Sequence, residues 1–410
     1  MTPGPSLSVD SLLDAAVDAA HADHGDVFES ASFTEADLGP DDWRDGLERL
    51  TGALKEEARL NELGHDIAAG EIVALLSTRL AVHRWRAEHP KLAGQPVTAP
   101  IVIVGQARTG TTILVDLLAQ DPTMRVPRTW EVDRPVPPPT TATYDTDPRI
   151  DEIDARLAGT DLLIPGFRAM HPMGARLAQE CVRITAPTFR SVIFPTVYRV
   201  PSYGRWVLYE ADMAPAYRWH RRYLEHLQSR HPGPDAPPAR WLLKSPAHIW
   251  CLEALIAEYP DALLVQTHRD PLRIIASVSS LQATLRAMAS DEPTIPEIAD
   301  EWADYIQDGL DRSVDAREQG VVPPDRVVDV QFDALMADPF ATIHRIYDAL
   351  GLELATETEA KMRAFLASHG RDEHGRHEYA FADTGLDVDE RCARARRYQE
   401  YFDVTSEPIR

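Results

Sequence analysis

The sequence predicts an α/β fold in which helices cover both faces of a mostly parallel central sheet. Short runs of apolar and β-branched residues, of strand length, alternate with longer stretches that show helical apolar spacing. A glycine-containing turn at 105–110 joins the first of these runs to a helical segment, so the local order is strand, turn, helix. Strands that are separated by helices pair in parallel, which predicts a three-layer sandwich.

Residues 1–95 are predicted to form a helical N-terminal region. Their apolar residues recur, in three groups, at the spacing of one helix face. The groups are Val9, Leu12, Leu13, Ala16 and Ala20; Trp43, Leu47, Leu50 and Leu54; and Ile72, Leu75, Leu76, Leu80 and Val82. Pro90 and the Gly-Gln-Pro sequence at 94–96 end the region. The predicted division is therefore a helical region at 1–95 and an α/β domain at 96–410.

Four apolar runs are predicted to be buried strands of the sheet. They lie at 101–104, 241–243, 262–267 and 327–332, with helices predicted at 112–118 and 247–258. A loop rich in Pro and Thr at 135–150 leads into a helical segment at 150–230, so a helical insertion is predicted at about 140–235. The aromatics between Tyr198 and Tyr223 fit either a ligand pocket or a buried core.

Composition and charge exclude several classes of protein. The formal net charge of −23 opposes sequence-independent binding of nucleic acid, which needs a basic surface. An integral membrane protein is not predicted, because no apolar run approaches the roughly 18 residues of a membrane span. The three cysteines lack paired spacing, so neither disulfides nor a metal site are predicted. The acidic N-terminal sequence is unlike a secretory leader, and a cytoplasmic location is expected.

The turn at 105–110 is predicted to bind a phosphate-like anion. Gly105 and Gly110 have the spacing of a nucleotide phosphate loop, G-x-x-x-x-G, but a threonine follows where that motif has its lysine. Backbone N–H groups and the dipole at the start of a helix attract an anion. Further donors are predicted from Arg108, Thr109, Thr111 and Thr112. A plain turn between strand and helix is the alternative interpretation.

The segment Ala107-Arg-Thr-Gly-Thr-Thr112 resembles the phosphosulfate loop of the sulfotransferases that use 3′-phosphoadenosine-5′-phosphosulfate (PAPS). That loop typically reads Pro-(Lys/Arg)-Ser-Gly-Thr-Thr, so Ala107 replaces its proline and Thr109 keeps its hydroxyl. The resemblance implies a P-loop-NTPase-like fold, PAPS as co-substrate, adenosine 3′,5′-bisphosphate (PAP) as product, and no metal. It also implies that the 5′-phosphosulfate contacts Arg108, Thr109, Gly110, Thr111 and Thr112.

A second segment resembles the 3′-phosphate site of the same family. Arg269 follows the strand predicted at 262–267, and Ser277 lies two helical turns further on. An arginine and a serine at this spacing can flank one phosphate if the loop between them doubles back. The alternatives are a local salt bridge of Arg269 with Asp270 and a solvated helix position for Ser277.

Two weaker resemblances also concern the nucleotide. Phe332 takes the place of a tyrosine that lies near the adenine in the family, although a core aromatic would show the same pattern. The basic, glycine-containing run at 370–379 resembles a late loop that closes over the 3′-phosphate, which makes Arg376 a candidate. A solvated charged loop is the alternative for this run.

Sulfuryl transfer needs donors for the charge that grows on the leaving phosphate. Arg108 and Lys244 are predicted to supply them. Lys244 ends a predicted strand and is similar to the lysine of the family's Lys-Thr-His segment, but Pro246 stands where the histidine would be. This difference weakens the expectation of a histidine base.

Three residues are candidates for the base that accepts the proton of the acceptor hydroxyl. Glu131 is ranked first, because it is similar in position to the carboxylate base of tyrosylprotein and some bacterial carbohydrate sulfotransferases. His248 is second, since the usual pKa of histidine suits proton transfer near neutrality. Glu180 is third. The alternatives are a helix N-terminal carboxylate for Glu131, a capping or core histidine for His248 and a buried ion pair for Glu180.

The predicted function is transfer of a sulfuryl group from PAPS to a hydroxyl of a small-molecule, glycan or lipid acceptor. Residues 1–95 and the insertion are expected to choose the acceptor. A P-loop kinase or NTPase is the first alternative, although its lysine is absent. A nucleotide-binding protein without catalysis is the second.

Overall fold

The computed structural model describes residues 4–24, 27–28, 33–40, 42–92, 94–160, 164, 167–170, 172–231, 239–368 and 379–408. Its centre is a sheet of five parallel strands. They are β1 (Ile101–Val104), β2 (Met124–Arg125), β3 (Arg240–Lys244), β4 (Leu263–His268) and β5 (Val327–Gln331). The order across the sheet is β2-β3-β1-β4-β5. Every strand therefore presents its carboxyl end at the same edge, where ligands of such sheets bind.

Helices cover both sides of the sheet, and further helices form the N-terminal region before the first strand. They are α1 (Val9–His24), α2 (Arg44–Glu56), α3 (Glu62–Glu88), α4 (Thr111–Leu118), α5 (Thr129–Asp133), α6 (Pro148–Ala158), α7 (Phe167–Met170), α8 (Cys181–Thr185), α9 (Ile193–Val197), α10 (Pro201–Tyr209), α11 (Ala214–Gln228), α12 (Leu252–Glu258), α13 (Pro271–Arg286), α14 (Ile295–Glu318), α15 (Phe332–Ala337), α16 (Pro339–Ala349), α17 (Thr356–Ser368) and α18 (Val388–Phe402). The predicted α/β class is confirmed.

The four predicted strands are confirmed, two local predictions are corrected, and one short strand was missed. The two-residue strand β2 was not predicted, because two residues carry no detectable period. Phe332 begins α15 and does not end β5. The helix predicted at 247–258 is a 3₁₀ turn, Pro246–Trp250, followed by α12, with a break at Cys251.

The N-terminal helices share their core with the rest of the chain. Leu12 of α1 and Leu76 of α3 are fully buried in the apolar cluster that also contains Val104 of β1. The buried Arg79 of α3 donates a hydrogen bond to the carbonyl of Leu38 at 2.7 Å, which ties α3 to the preceding segment. The boundary near residue 95 stays a prediction.

The aromatic residues of the insertion are mainly core residues. Tyr203 and Tyr223 are each 1% exposed, and the Trp219 indole donates to the carbonyl of Ile184 at 2.8 Å. Tyr209 differs, with 38% of its surface exposed. The core interpretation of this stretch is therefore the one that the structure supports. Within the part of the chain that the structure describes, no helix has both the length and the apolar character needed to cross a membrane.

Candidate active site

The loop at 105–110 lies at the carboxyl end of β1, the middle strand of the sheet. Gly105 has φ +141°, and a Cβ there would collide with the side chain of Thr267 at the end of β4. Gly110 has φ +89°, and a Cβ there would lie 3.0 Å from Leu335. Arg108 has φ +71°, a left-handed conformation that side chains rarely adopt. This backbone folds the loop tightly over the sheet edge.

The start of α4 forms the anion-binding part of this loop. The first hydrogen bond of the helix runs from the Leu114 N–H to the Gly110 carbonyl at 3.2 Å, so the N–H groups before Leu114 have no partner within the helix. Thr111 and Thr112 line the adjoining cavity. The hydroxyl of Thr109 does not face it. That hydroxyl donates to the Gln106 carbonyl at 2.7 Å and lies 2.6 Å from the Thr267 hydroxyl, which corrects the prediction of Thr109 as a side-chain donor.

Arg108, Ser277 and Arg269 lie together, as the two sequence matches predict. The Arg108 Nε donates to the Ser277 Oγ at 3.0 Å, and the Arg269 Nη1 donates to the Arg108 carbonyl at 2.8 Å. Ser277 is fully buried, so it is not a solvated helix position. The partner of Arg269 is Glu407, whose carboxylate lies 2.6 Å from its Nε and 3.0 Å from its Nη2.

The electrostatics of the two arginines differ. Burial, the largest cause, lowers the pKa of Arg108, and Tyr379 and Arg269 act on it in opposite directions. Burial also opposes the charge of Arg269, but Glu407 and Tyr379 outweigh it and raise the pKa of Arg269. Both guanidinium groups are cations, because arginine does not lose its proton in proteins.

Phe332, the first residue of α15, lies against this cluster. The Arg269 Cζ lies 3.9 Å from the centroid of the Phe332 ring, which is a cation–π contact. A Cβ on Gly110 would lie 3.3 Å from the same ring, so Phe332 also packs on the loop. Stacking of Phe332 on the adenine stays a prediction.

Lys244 and Glu180 form an ion pair beside the loop. Lys244 lies opposite Ile103 in the register of β3 and β1, which places it next to the start of the loop. Its Nζ lies 2.5 Å from the Glu180 Oε1. The Lys244 side chain is 4% exposed, whereas the Glu180 side chain is 20% exposed. The carboxylate is therefore the member of the pair that a ligand can reach.

A cavity of about 230 Å³ adjoins the loop and the Glu180 carboxylate. Its polar wall contains Gln106, Arg108, Thr111, Thr112, Gln179, Glu180, Arg183, Thr196 and Gln282. Its apolar wall contains Phe167, Val182, Val192, Ile193, Val197, Trp250, Val278, Leu281, Leu285 and Trp302. A mainly apolar lining with a few polar and charged side chains is typical of a small-molecule site.

Glu131 is held in a buried network of hydrogen bonds, which argues against its first rank as the base. It is fully buried and does not line the cavity. Its Oε2 accepts a hydrogen bond from the Arg125 Nη2 at 2.6 Å. Its Oε1 accepts from the Arg128 N–H and from the Tyr144 hydroxyl, both at 3.0 Å. Both carboxylate oxygens are thus held by structural partners at the start of α5.

His248 is also a core residue. It is 2% exposed and does not line the cavity, and its Nδ1 lies 2.7 Å from the Tyr217 hydroxyl. Burial lowers the pKa of His248 to about 4, although Glu180 opposes this shift. The imidazole is therefore neutral near pH 7 and is not part of the cavity lining.

Some of the site could not be foreseen. Glu407 carries no signal in sequence, because it is one acidic residue far along the chain from Arg269. Part of the apolar wall could have been predicted from the sequence. Val278, Leu281 and Leu285 recur at helical spacing and therefore lie on one face of α13. Arg376 lies outside the described residues. No cluster of metal-ligating side chains is found among the residues that the structure describes.

Comparisons with known proteins agree with this geometry. The profile of the Sulfotransferase family matches residues 100–357. The crystal structure of sulfotransferase STF9 from Mycobacterium avium is similar, with a TM-score of 0.84, 28% identity and coverage of 98% of both chains. Sulfotransferase STF1 from Mycobacterium tuberculosis H37Rv has a TM-score of 0.77 and 31% identity, over 92% of this chain and 97% of its own. The omega-hydroxy-beta-dihydromenaquinone-9 sulfotransferase Stf3 of Mycobacterium bovis is 26% identical over 283 residues, which are 66% of this chain and 67% of that protein.

Proposed function

The chain belongs to the Sulfotransferase family and is a sulfotransferase, and we propose that it moves the sulfuryl group of PAPS to the hydroxyl of an apolar small-molecule or lipid acceptor. One observation supports this most strongly. The loop, Arg108 and Glu180 line one largely apolar cavity, and behind it Arg108 contacts Ser277 and Arg269 while Glu180 pairs with Lys244. The kinase alternative loses its support, because Thr111 stands where the P-loop lysine would be and the chain matches the Sulfotransferase family over residues 100–357.

The residues at this edge fit the two anionic ends of PAPS. The N–H groups at the start of α4 and the Arg108 guanidinium suit the 5′-phosphosulfate. Arg269 and Ser277 suit the 3′-phosphate, since a guanidinium and a hydroxyl both donate to phosphate oxygens. Arg108 contacts Ser277 directly, so the two phosphate sites are adjacent in the protein.

In the proposed mechanism, Glu180 accepts the proton of the acceptor hydroxyl. PAPS supplies a sulfuryl group on a phosphate leaving group. Glu180 lines the cavity next to the loop, as a base in contact with the acceptor must. Lys244 holds the Glu180 carboxylate before the substrates bind and is near enough to the loop to donate to the leaving phosphate. A shift of Lys244 toward that phosphate releases Glu180 for the proton.

The walls of the cavity favour an apolar acceptor. Aromatic and branched aliphatic side chains of α9, α13 and α14 form most of the surface beyond Glu180. A sugar hydroxyl buried there would lose its hydrogen bonds to water, whereas an alkyl or isoprenoid chain gains from burial. Stf3 is named for a hydroxylated menaquinone, which is an alcohol on a long apolar chain. We therefore assign the acceptor to apolar alcohols.

We expect Arg269→Ala to weaken the binding of PAP strongly. Loss of a bidentate contact to a phosphate should raise the dissociation constant about 100-fold, on the order of 3 kcal/mol. Isothermal titration of wild type and variant with PAP and with ATP measures this. Wild type should prefer PAP, because ATP lacks the 3′-phosphate. A preference for ATP with magnesium, or equal PAP binding by both proteins, would refute the proposed nucleotide site.

We expect the enzyme with PAPS to sulfate 1-dodecanol in preference to glucose. The ratio of kcat/KM should exceed about 100, because the transfer of several methylene groups from water into the cavity contributes about 0.8 kcal/mol each. Incorporation of labelled sulfate from PAPS, with each alcohol below its solubility limit, gives the ratio. Faster transfer to glucose would show that the apolar wall does not bind the acceptor.

A further inference from the structure

The Glu407 carboxylate contacts Arg269, which the proposed function assigns to the 3′-phosphate. It accepts two parallel hydrogen bonds from Arg269, from the Nε at 2.6 Å and from the Nη2 at 3.0 Å. The Arg273 Nε is 3.6 Å away. A carboxylate held on one edge of a guanidinium has the geometry with which arginine also binds phosphate. The protein thus carries its own anion at the position where a phosphate is expected.

The segment that presents this anion is well anchored. We call residues 403–408 the C-terminal clasp. Before it, the Tyr398 hydroxyl of α18 lies 2.8 Å from the Nδ1 of the buried His268, and the Gln331 side chain donates to the Phe402 carbonyl at 2.6 Å. Within it, the Glu407 N–H donates to the Asp270 carboxylate at 2.6 Å. The clasp therefore crosses the carboxyl ends of β4 and β5, next to Arg269.

The donors of Arg269 are almost fully used in this arrangement. Nε and Nη2 contact Glu407, Nη1 contacts the Arg108 carbonyl, and the Tyr379 side chain is a further hydrogen-bond partner. A 3′-phosphate that binds the Nε–Nη2 edge of Arg269 through two oxygens needs the place that Glu407 holds. Two anions on one edge would repel each other, so they exclude one another. Glu407 can leave, because 29% of its side chain is exposed to solvent.

We propose that Glu407 is an internal competitor for the 3′-phosphate site, so that the clasp is displaced when the nucleotide binds and returns when it leaves. This inference rests on the proposed function, which assigns Arg269 to the 3′-phosphate. PAPS and PAP carry the same 3′-phosphate, so the carboxylate weakens the binding of both. Its return helps to expel PAP after transfer and limits inhibition by the product.

The test compares Glu407→Gln with wild type by isothermal titration of PAP and of AMP, which lacks the 3′-phosphate. Glutamine keeps a hydrogen-bond acceptor but loses the charge. We expect the variant to bind PAP about tenfold more tightly, the effect of weakening one charge-assisted pair, with AMP affinity unchanged. Glu400→Gln is the matched control, because Glu400 is an exposed glutamate of α18, and its PAP affinity should equal that of wild type.

Two kinds of result would overturn the inference. Unchanged PAP binding by Glu407→Gln would show that Glu407 does not compete with the phosphate, and weaker binding would show that it orients Arg269 for the phosphate. Equal tightening for PAP and AMP would show a general effect of charge, as would tightening by Glu400→Gln. Failure of Arg269→Ala to weaken PAP binding would instead refute the nucleotide site of the proposed function. The experiment thus gives different results when the proposal about Glu407 is wrong and when the proposed nucleotide site is wrong.

Discussion

Glu180→Gln is expected to lower kcat for sulfate transfer to 1-dodecanol by about 10²–10⁴-fold, the range for loss of a general base. Glutamine has nearly the same shape and still offers an oxygen to Lys244, but it cannot accept the proton of the acceptor hydroxyl. The titration of PAP should be unchanged, because Glu180 lines the acceptor side of the cavity. Steady-state kinetics at saturating PAPS measure the loss.

The control for this variant is Glu131→Gln, which alters the other candidate carboxylate. Its loss leaves the Arg125 guanidinium, 5% exposed, without its charged partner. We expect a decrease of about 3 kcal/mol in the free energy of unfolding, the cost of breaking a buried pair, with kcat retained by the folded protein. The opposite pattern, with kcat lost in Glu131→Gln at unchanged stability and retained in Glu180→Gln, would return the role of base to Glu131.

The central strands of the sheet could be predicted from sequence because they are buried on both faces. Runs such as 101–104 are continuous in apolar residues, and the burial of all four positions in β1 explains that pattern. The turn was also predictable, since both glycines meet a neighbour that excludes a side chain. Strand β2 could not be predicted, because it is defined by its pairing with β3 and not by its own two residues.

The candidate site was predictable only where the spacing of residues along the chain determines its geometry. Arg269 and Ser277 lie on a strand end and the next helix, so their approach to one loop follows from topology. The choice between Glu131 and Glu180 as the base does not follow from topology. Both lie at the start of a short helix, and only tertiary packing turns Glu131 toward Arg125 and Glu180 toward Lys244.

Lys244→Met is expected to lower kcat by about 10²–10³-fold, the usual loss for one preorganised donor to a growing charge. Methionine keeps the length and packing of the side chain but removes the ammonium group. The charge on the leaving phosphate is larger in the transition state than in bound PAPS, so kcat should fall while the PAP dissociation constant changes little. Transfer to 1-dodecanol at saturating PAPS and titration with PAP separate the two effects.

The double variant Glu180→Gln/Lys244→Met distinguishes catalysis from simple pairing. If the two residues act on the two ends of one transfer, the double variant should lose more than either single variant, up to the product of the single losses. Its stability should be at least that of Lys244→Met, which leaves the Glu180 carboxylate without its cation. If Lys244 serves only to hold Glu180, Lys244→Met should add nothing to the loss in Glu180→Gln. A rise in the KM for PAPS at constant kcat would assign Lys244 to binding alone, because such a residue contacts substrate and transition state equally.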